Sequence, residues 1–236
     1  MRRSPPTPPR GRRTSRLLKA DLHTHTYFSP DGLTSPDKYV QTCLKRGINC
    51  VAVTDHNDLG GALAVQKLAS FRVIIGEEVE SLEGEIIGLF LQEEVPAGLS
   101  AEETVRRIKE QGGLVCVPHP FDRWRREHLA EAALMRILPQ VDIIEALNAR
   151  TTLRGDNEQA ARFAQEHGLA MSAGSDAHSA RELGRACVEM PDFEGPREFL
   201  QALRQGHIVG RLSTPLVHLW SRWAWLRRRL GWRPTG

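Results

Sequence analysis

Thiol chemistry has little to work with in this chain. Its four cysteines, Cys43, Cys50, Cys116 and Cys187, show no C-x-x-C spacing, and two of them sit inside apolar runs. That pattern argues against a closed structural zinc site built on clustered thiolates and fits a reduced, cytoplasmic compartment. Long hydrophobic runs are missing as well. After the Arg12-Arg13 pair, Lys19, Asp21 and His23 break the apolar stretch that an export signal would need, so no such signal is read there. No internal repeat is evident. Acidic residues are absent from both ends: residues 1–16 and 211–236 each carry six Arg and no Asp or Glu.

What remains once those ends are set aside is acidic. The net charge of the 236-residue chain is +3, yet without the 12 terminal Arg there are 20 Lys+Arg against 29 Asp+Glu, about −9 over residues 17–210. Most of these carboxylates belong on solvated helix faces, and bound divalent cations would offset part of the remainder. The length suits one large single-core domain, and the 40% hydrophobic and 26% charged composition is that of an ordinary folded protein. Residues 1–16, with Pro5, Pro6, Pro8 and Pro9 among the arginines, have too little apolar content to pack and are expected as a disordered basic arm. A catalytic domain is expected over 17–212 and a basic amphipathic helix within 213–236.

From residue 17 short apolar runs alternate with amphipathic stretches, the pattern of strand-helix units in a largely parallel sheet. Strands are predicted at 17–22, 50–54, 73–75, 86–91, 114–117, 141–144 and 170–173. The 86–91 strand reads as a hairpin partner after the Glu83-Gly84 turn, and the others as parallel. Helices are predicted at 35–46, 59–69, 101–111, 127–138, 157–167 and 196–205, several with a glycine just past the end. At the C-terminus Leu216, Leu219, Trp220, Trp223, Leu226 and Leu230 recur at three- and four-residue steps, with Arg222 and Arg229 off that stripe. This predicts a helix that either docks on the domain or lies at an anionic lipid or nucleic-acid surface. Deleting residues 215–236 is expected to leave catalysis on a small substrate intact.

Side chains with metal-ligand chemistry fall repeatedly just after the apolar runs, where a parallel barrel or open sheet places its site. His23-Thr24-His25, Asp55-His56, Glu77-Glu78, His119 and Asp176-Ala177-His178 each follow a predicted strand. Residues two apart on an extended segment face the same way, so His23 pairs with His25 and Asp176 with His178. Imidazole with carboxylate suits zinc, manganese or iron in an open, catalytic site. His128, His167, His207 and His218 stand outside this pattern and read as ordinary surface or capping histidines.

In order along the chain, A-D-L-H-T-H-T, S-P-D-G, V-T-D-H-N, I-G-E-E-V, V-P-H-P and G-S-D-A-H resemble the successive motifs of the PHP (polymerase and histidinol phosphatase) family over roughly residues 19–180. The resemblance implies a distorted (β/α)7 barrel, α/β in class, with a phosphoesterase site of two or three divalent ions. It assigns His23, His25, Glu78 and Asp176 to one metal. Glu78 then bridges to a second with His119, and Asp31, His56 and His178 hold a third. The family's G-x-E pattern selects Glu78 over Glu77, and Asp55 is expected to orient a neighbouring ligand. Many relatives supply a further histidine or cysteine to the second metal. Here the matching run is Ile144-Glu145-Ala146-Leu147-Asn148, where Glu145 or Asn148 is the available substitute.

The chemistry implied is attack of a metal-bridging hydroxide on phosphorus. A cation for the phosphoryl oxygens is expected after His119-Pro120, from Arg123, Arg125 or Arg126, with Arg150 and Arg154 as second choices. The substrate expected is a nucleotide-type phosphomonoester such as AMP or a 3′,5′-bisphosphate. Alternatives are RNA trimmed from its 5′ end, histidinol phosphate, or a non-catalytic metal-binding interaction module. An amidohydrolase-like site calls for a bridging modified lysine, and no Lys stands at a strand end. The short interval from Glu78 to His119 leaves no room for a dedicated lid, so an open pocket is expected.

Overall fold

The computed structural model describes residues 17–214 and 217–230; the basic arm expected at 1–16 lies outside them. Nine strands form one sheet in the order β7-β6-β5-β4-β3-β2-β1-β8-β9. They are β1 (Leu18–Asp21), β2 (Cys50–Val53), β3 (Arg72–Ser81), β4 (Gly84–Leu89), β5 (Leu114–Val117), β6 (Ile143–Asn148), β7 (Ala170–Gly174), β8 (Ala186–Met190) and β9 (His207–Gly210). The helices are α1 (Pro36–Lys45), α2 (Gly60–Leu68), α3 (Ala101–Glu110), α4 (Glu131–Ile137), α5 (Arg154–Glu166), α6 (Pro196–Arg204) and α7 (Val217–Arg229).

The sheet curls until its ends nearly meet. Beyond β1 the Leu22 amide donates to Ala173 O at 3.2 Å, the Asp176 amide donates to His23 O at 2.8 Å, and Thr24 bridges Ala177 in parallel. This is the barrel-like (β/α)7 architecture, and its seam lies beside the motifs that carry the histidines. Alternation along the strands sorts the core. Ala20, Leu22, Cys50, Ala52, Ile74, Ile87, Cys116, Ile143 and Ala173 share one inner cluster, on which Phe199 and Leu203 of α6 also pack. Val51 and Val53 face α1 and α2, while Val115, Val117 and Ile144 belong with α3, α4 and α5. Strands β2 and β5 are buried along their whole length, as strands covered on both faces must be.

Local signals explain the helix starts. Ser35 caps α1 by accepting from the Lys38 amide at 3.4 Å, with Pro36 in the first turn, and Ser100 caps α3 by accepting from Glu103 at 3.2 Å.

Two expectations are corrected and one holds. Strands β8 and β9 were not anticipated; they are short and add antiparallel to β1 and to each other. The predicted strands other than the hairpin partner do run parallel: β4 lies antiparallel to both β3 and β5, so β1, β2, β3, β5, β6 and β7 keep one direction. The helix expected from 127 starts at Glu131, because the preceding residues line the hairpin instead: Glu85 N donates to Glu127 O at 2.9 Å and Ala130 N to Glu83 O at 2.8 Å. That close approach requires Gly84, at φ 128°, where a Cβ would stand 2.5 Å from Leu129 Cα. No helix among the described residues is long and apolar enough to cross a membrane.

Candidate metal centre

All eight residues expected as metal ligands meet at the ends of the strands. The positions that bring them there carry backbone strain: His119 and Asp176, each just past a strand, have φ of 30° and 51°. A carboxylate below the site holds the second of these turns. Asp21 accepts from the Ser175 amide (2.8 Å), the Ser175 hydroxyl (2.6 Å) and the Gly184 amide (2.7 Å), fixing the loop from which Asp176 and His178 project. Burial raises the pKa of Asp21 to about 6 even against those donors.

At the centre, His23 Nε2 and His25 Nε2 lie 3.1 Å apart. Glu78 Oε2 is 3.2 and 3.3 Å from them, and Asp176 Oδ1 is 3.7 and 3.4 Å from them. A tetrahedral ion with bonds of about 2.0–2.1 Å separates its ligands by about 3.3 Å. His23, His25 and Asp176 therefore form one group that could hold a divalent ion, with Glu78 Oε2 close to both imidazoles.

The outer hydrogen bonds fix how the imidazoles present themselves. Glu145 Oε1 takes the proton of His23 Nδ1 at 3.1 Å. Asp55 Oδ1 accepts from the Ser29 hydroxyl at 2.8 Å, so the Ser29 oxygen is left to accept from His25 Nδ1 at 3.0 Å. The Asp176 carbonyl accepts from His178 Nδ1 at 2.9 Å. In all three rings Nε2 is thereby turned inward as the coordinating atom.

Two further groupings adjoin the first. His119 Nε2 lies 3.2 Å from Glu78 Oε1 and 3.4 Å from Glu85 Oε2, and His56 Nδ1 lies 3.4 Å from Glu78 Oε2 and 3.7 Å from Glu85 Oε1. Asp31 Oδ2 lies 2.8 Å from His178 Nε2, and Asp31 Oδ1 lies 3.9 Å from His56 Nε2. Asp31 Oδ1, His56 Nδ1, Glu85 Oε2 and Asp176 Oδ1 are buried without a hydrogen-bond partner among the described residues. Buried polar atoms are seldom left so, and cations in these groupings would satisfy them.

Charge in the site is divided sharply. Burial disfavours charge on His23 and His25, but Glu78 and Asp176 outweigh it, with Glu145 adding to the effect on His23. His23 is held well above the ordinary imidazole value and His25 is raised to about 9. Burial pushes His178 down to about 4 against the pull of Asp31. Burial and the charge of Glu78 push Glu85 well above the carboxylate range. A metal entering the first grouping must therefore displace protons from His23 and His25. Zinc affinity, measured by chelator competition, is expected to climb from pH 6.5 towards about 9, by about tenfold per pH unit for each proton displaced. A flat profile over that interval would remove the displacement.

Comparison with known proteins identifies the family and the fold. The PHP domain profile matches residues 21–123 and the PHP-associated profile matches residues 154–208. An uncharacterized protein of Methanocaldococcus jannaschii is 37% identical over 220 residues, which is 87% of this chain and 89% of that one. The chain belongs to the PHP family. Among solved structures, a two-domain protein of Bacteroides vulgatus, described as containing a predicted PHP-like metal-dependent phosphoesterase, superposes with a TM-score of 0.67 at 20% identity. That match covers 83% of this chain and 65% of the other protein, so the chain spans less than two thirds of its length. The lesion-specific endonuclease EndoQ of Pyrococcus furiosus superposes with a TM-score of 0.59 at 17% identity, over 81% of this chain and 57% of that one. These likenesses show a shared PHP fold.

Within the PHP site the remaining expected residues fall as follows. Glu77, whose side chain faces away from the cluster, accepts from the Val95 amide at 2.9 Å and is pushed up to about 7 by burial. Glu145 stands behind the cluster, holding His23 and accepting from the His119 amide (2.9 Å) and from Asn148 Nδ2 (2.9 Å), so neither Glu145 nor Asn148 takes the place of a further histidine. The residue that does stand beside His119 is Glu85. Sequence reasoning missed it, although a lone glutamate in the apolar strand opposite Glu80 was the available signal.

The arginines also sort differently from expectation. Arg123 turns to Asp156, with Nη2 2.9 Å from Oδ1, and its side chain is 70% exposed. Arg126 lies at the mouth of the cavity. Arg125 enters the cluster: Nη1 is 2.9 Å from His119 Nε2, and Nη2 pairs with Asp176 Oδ2. Burial opposes its charge, but the neighbouring carboxylates, Asp176 foremost, hold the guanidinium protonated.

Proposed function

We propose that the protein is a metal-dependent phosphoesterase acting on a nucleotide-type phosphomonoester, of the AMP or 3′,5′-bisphosphate class. The observation that carries this reading is one cavity lined by His56, His178, the unpartnered oxygens of Asp31 and Glu85 and the Arg125 guanidinium, whose Arg125 and His178 also contact Asp176 of the buried group of His23, His25 and Asp176. His23, His25, Glu78 and Asp176 would hold a first divalent ion, Glu78, His119 and Glu85 a second, and Asp31, His56 and His178 a third, with manganese, zinc and iron the candidates. Ions bound there supply positive charge to phosphoryl oxygens and acidify a water.

The chain's own groups do the rest. Arg125 reaches the cluster on a loop rather than a strand, so it is free to exchange Asp176 for two oxygens of a phosphoryl group in bidentate fashion. Asp55, through Ser29, keeps the His25 ring from rotating, and Glu145 does the same for His23. The water oxygen would bond to phosphorus as the bond from phosphorus to the alcohol oxygen breaks, and the proton given up by the water would leave on the alcohol.

The test is a phosphate-release panel with each metal, comparing AMP, a 3′,5′-bisphosphate, a 5′-phosphorylated oligoribonucleotide and histidinol phosphate. The nucleotides are expected to show the highest kcat/KM. Histidinol phosphate surpassing all three would overturn the substrate, and preference for the oligonucleotide would turn the reading to a 5′-end nuclease.

A further inference from the structure

The open pocket expected from the sequence is not open on every side. The cavity above the metal cluster, about 680 Å3, has His56, Glu85 and His178 on its floor and takes two of its lining residues, Arg222 and Trp225, from α7. A cavity of this size suits a nucleotide-sized ligand. The helix is tied to the site from its near end. The Ser213 amide donates to Ala149 O at 2.6 Å. The buried Arg150 reaches from Asp176 O (3.4 Å) to Val217 O (3.5 Å), linking the loop of a candidate ligand to the first residue of α7.

Helical spacing gives this contact its chemistry. Arg222, Trp225 and Arg229 recur at i, i+3 and i+7 and so share one face, distinct from the stripe that includes Trp223, Leu226 and Leu230. That second face points elsewhere: Trp223, Leu226 and Leu230 are exposed, and Trp223 does not line the cavity. On the first face Arg229 stacks over the Trp225 indole at 4.6 Å from its centroid, which steadies the ring at the cavity while it remains 44% exposed. The loop after β5 contributes a second indole, Trp124, and a second exposed guanidinium, Arg126, to the same mouth. Glu80 and Glu127 also line this wall, so the mouth is mixed in charge rather than a uniform anion sink.

We infer that α7 is the roof of the substrate site. In this arrangement Trp225 and Trp124 take a flat aromatic ring of the leaving alcohol, and Arg222 and Arg126 take an anionic group beyond the scissile phosphate. The inference rests on the phosphoesterase reading and names the part of the substrate that the metal cluster does not touch: a heteroaromatic base and a second phosphate, whether in a nucleoside bisphosphate or at the end of an oligonucleotide. It also revises the expectation that the C-terminal segment is dispensable for catalysis on a small substrate.

Point variants of the full-length, metal-loaded protein test it, because Arg222, Trp223 and Trp225 are exposed and their replacement leaves the core untouched. Trp225→Ala is expected to raise KM for AMP about tenfold and to weaken adenosine binding by calorimetry to a similar degree, with a smaller rise in KM for ribose 5-phosphate, which carries no base. Arg222→Ala is expected to raise KM about tenfold for the 3′,5′-bisphosphate and for a 5′-phosphorylated dinucleotide, but not for AMP. The ratio of these two effects shows which source the site prefers. Trp223→Ala, on the other face, is the control and changes none of them. The inference is overturned if Trp225→Ala and Trp223→Ala behave alike, or if wild-type protein binds no adenosine. If wild-type protein releases no phosphate but binds adenosine in a Trp225-dependent way, the roof stands and the phosphoesterase reading falls.

Discussion

Replacing Glu78 by alanine is expected to abolish phosphate release and to lower metal content more than any other single substitution in the cluster. Glu78 Oε2 closes the first grouping with His23, His25 and Asp176, and Glu78 Oε1 faces His119. One side chain thus serves two candidate ions. Substitutions of outer partners typically cost ten- to a hundredfold, so loss of a shared ligand should exceed that and reach about 10³-fold in kcat/KM. The comparison is Glu77→Ala. Among the described residues its carboxylate bonds only the Val95 amide, so that variant should keep its metal and turnover while losing about 1–3 kcal/mol of stability from the unpaired buried donor. Elemental analysis and phosphate release on both purified variants decide the matter. Activity that depends on Glu77 and survives without Glu78 would place the cluster on the wrong carboxylate.

Arg125→Ala should have opposite effects on metal binding and turnover. The guanidinium pairs with Asp176 and touches His119 Nε2, so it competes with a cation for the same atoms. Without it, the second ion should bind at lower concentration in a zinc titration followed by calorimetry. Turnover should nevertheless fall by about 10²-fold, because a preorganised donor to the phosphoryl oxygens is gone. Arg125→Lys restores charge but not the planar fork and should recover only part of the rate. A fully loaded Arg125→Ala enzyme with undiminished kcat/KM would show that this side chain does not meet the substrate. Arg123→Ala, which breaks only the contact with Asp156, should change neither quantity.

The opposing protonation of neighbouring groups gives the site a further property. His23 and His25 are held protonated by surrounding carboxylates, while Glu85 is held neutral beside Glu78. In the metal-free protein the cluster is thus balanced by shared protons and by Arg125, and each arriving ion exchanges for some of that charge. Coordination and proton release are one event here, which is why the pH dependence of affinity is informative about the first grouping.

Much of the site was legible along the chain, because each parallel strand delivers its next residues to the same end of the sheet. His23, His25, His56, His119, Asp176 and His178 all follow strands in that way, and the G-x-E pattern of the family that the chain resembles separated Glu78 from Glu77. The same local signals located seven strands and, to within a residue, the starts of α1 and α3, since capping and burial patterns act over three or four residues. Other features depended on contacts between distant segments. Glu85 reaches His119 only because β4 folds back beside β3. Strands β8 and β9 are defined by the edge they add to, and α4 starts late because residues 127–130 bond to the hairpin.

Arg125 among three adjacent arginines, and the face of α7 that covers the cavity, were decided only by tertiary packing. Sequence periodicity marks which side chains on an element share a face, but the energy that selects the neighbour of that face comes from surfaces elsewhere in the chain. The sequence by itself thus determined the ligand-type residues and the strand ends that bear them. Tertiary structure alone decided which carboxylate joins His119, which guanidinium enters the cluster and what roofs the cavity, because each of those contacts joins elements whose local sequence holds no record of the other.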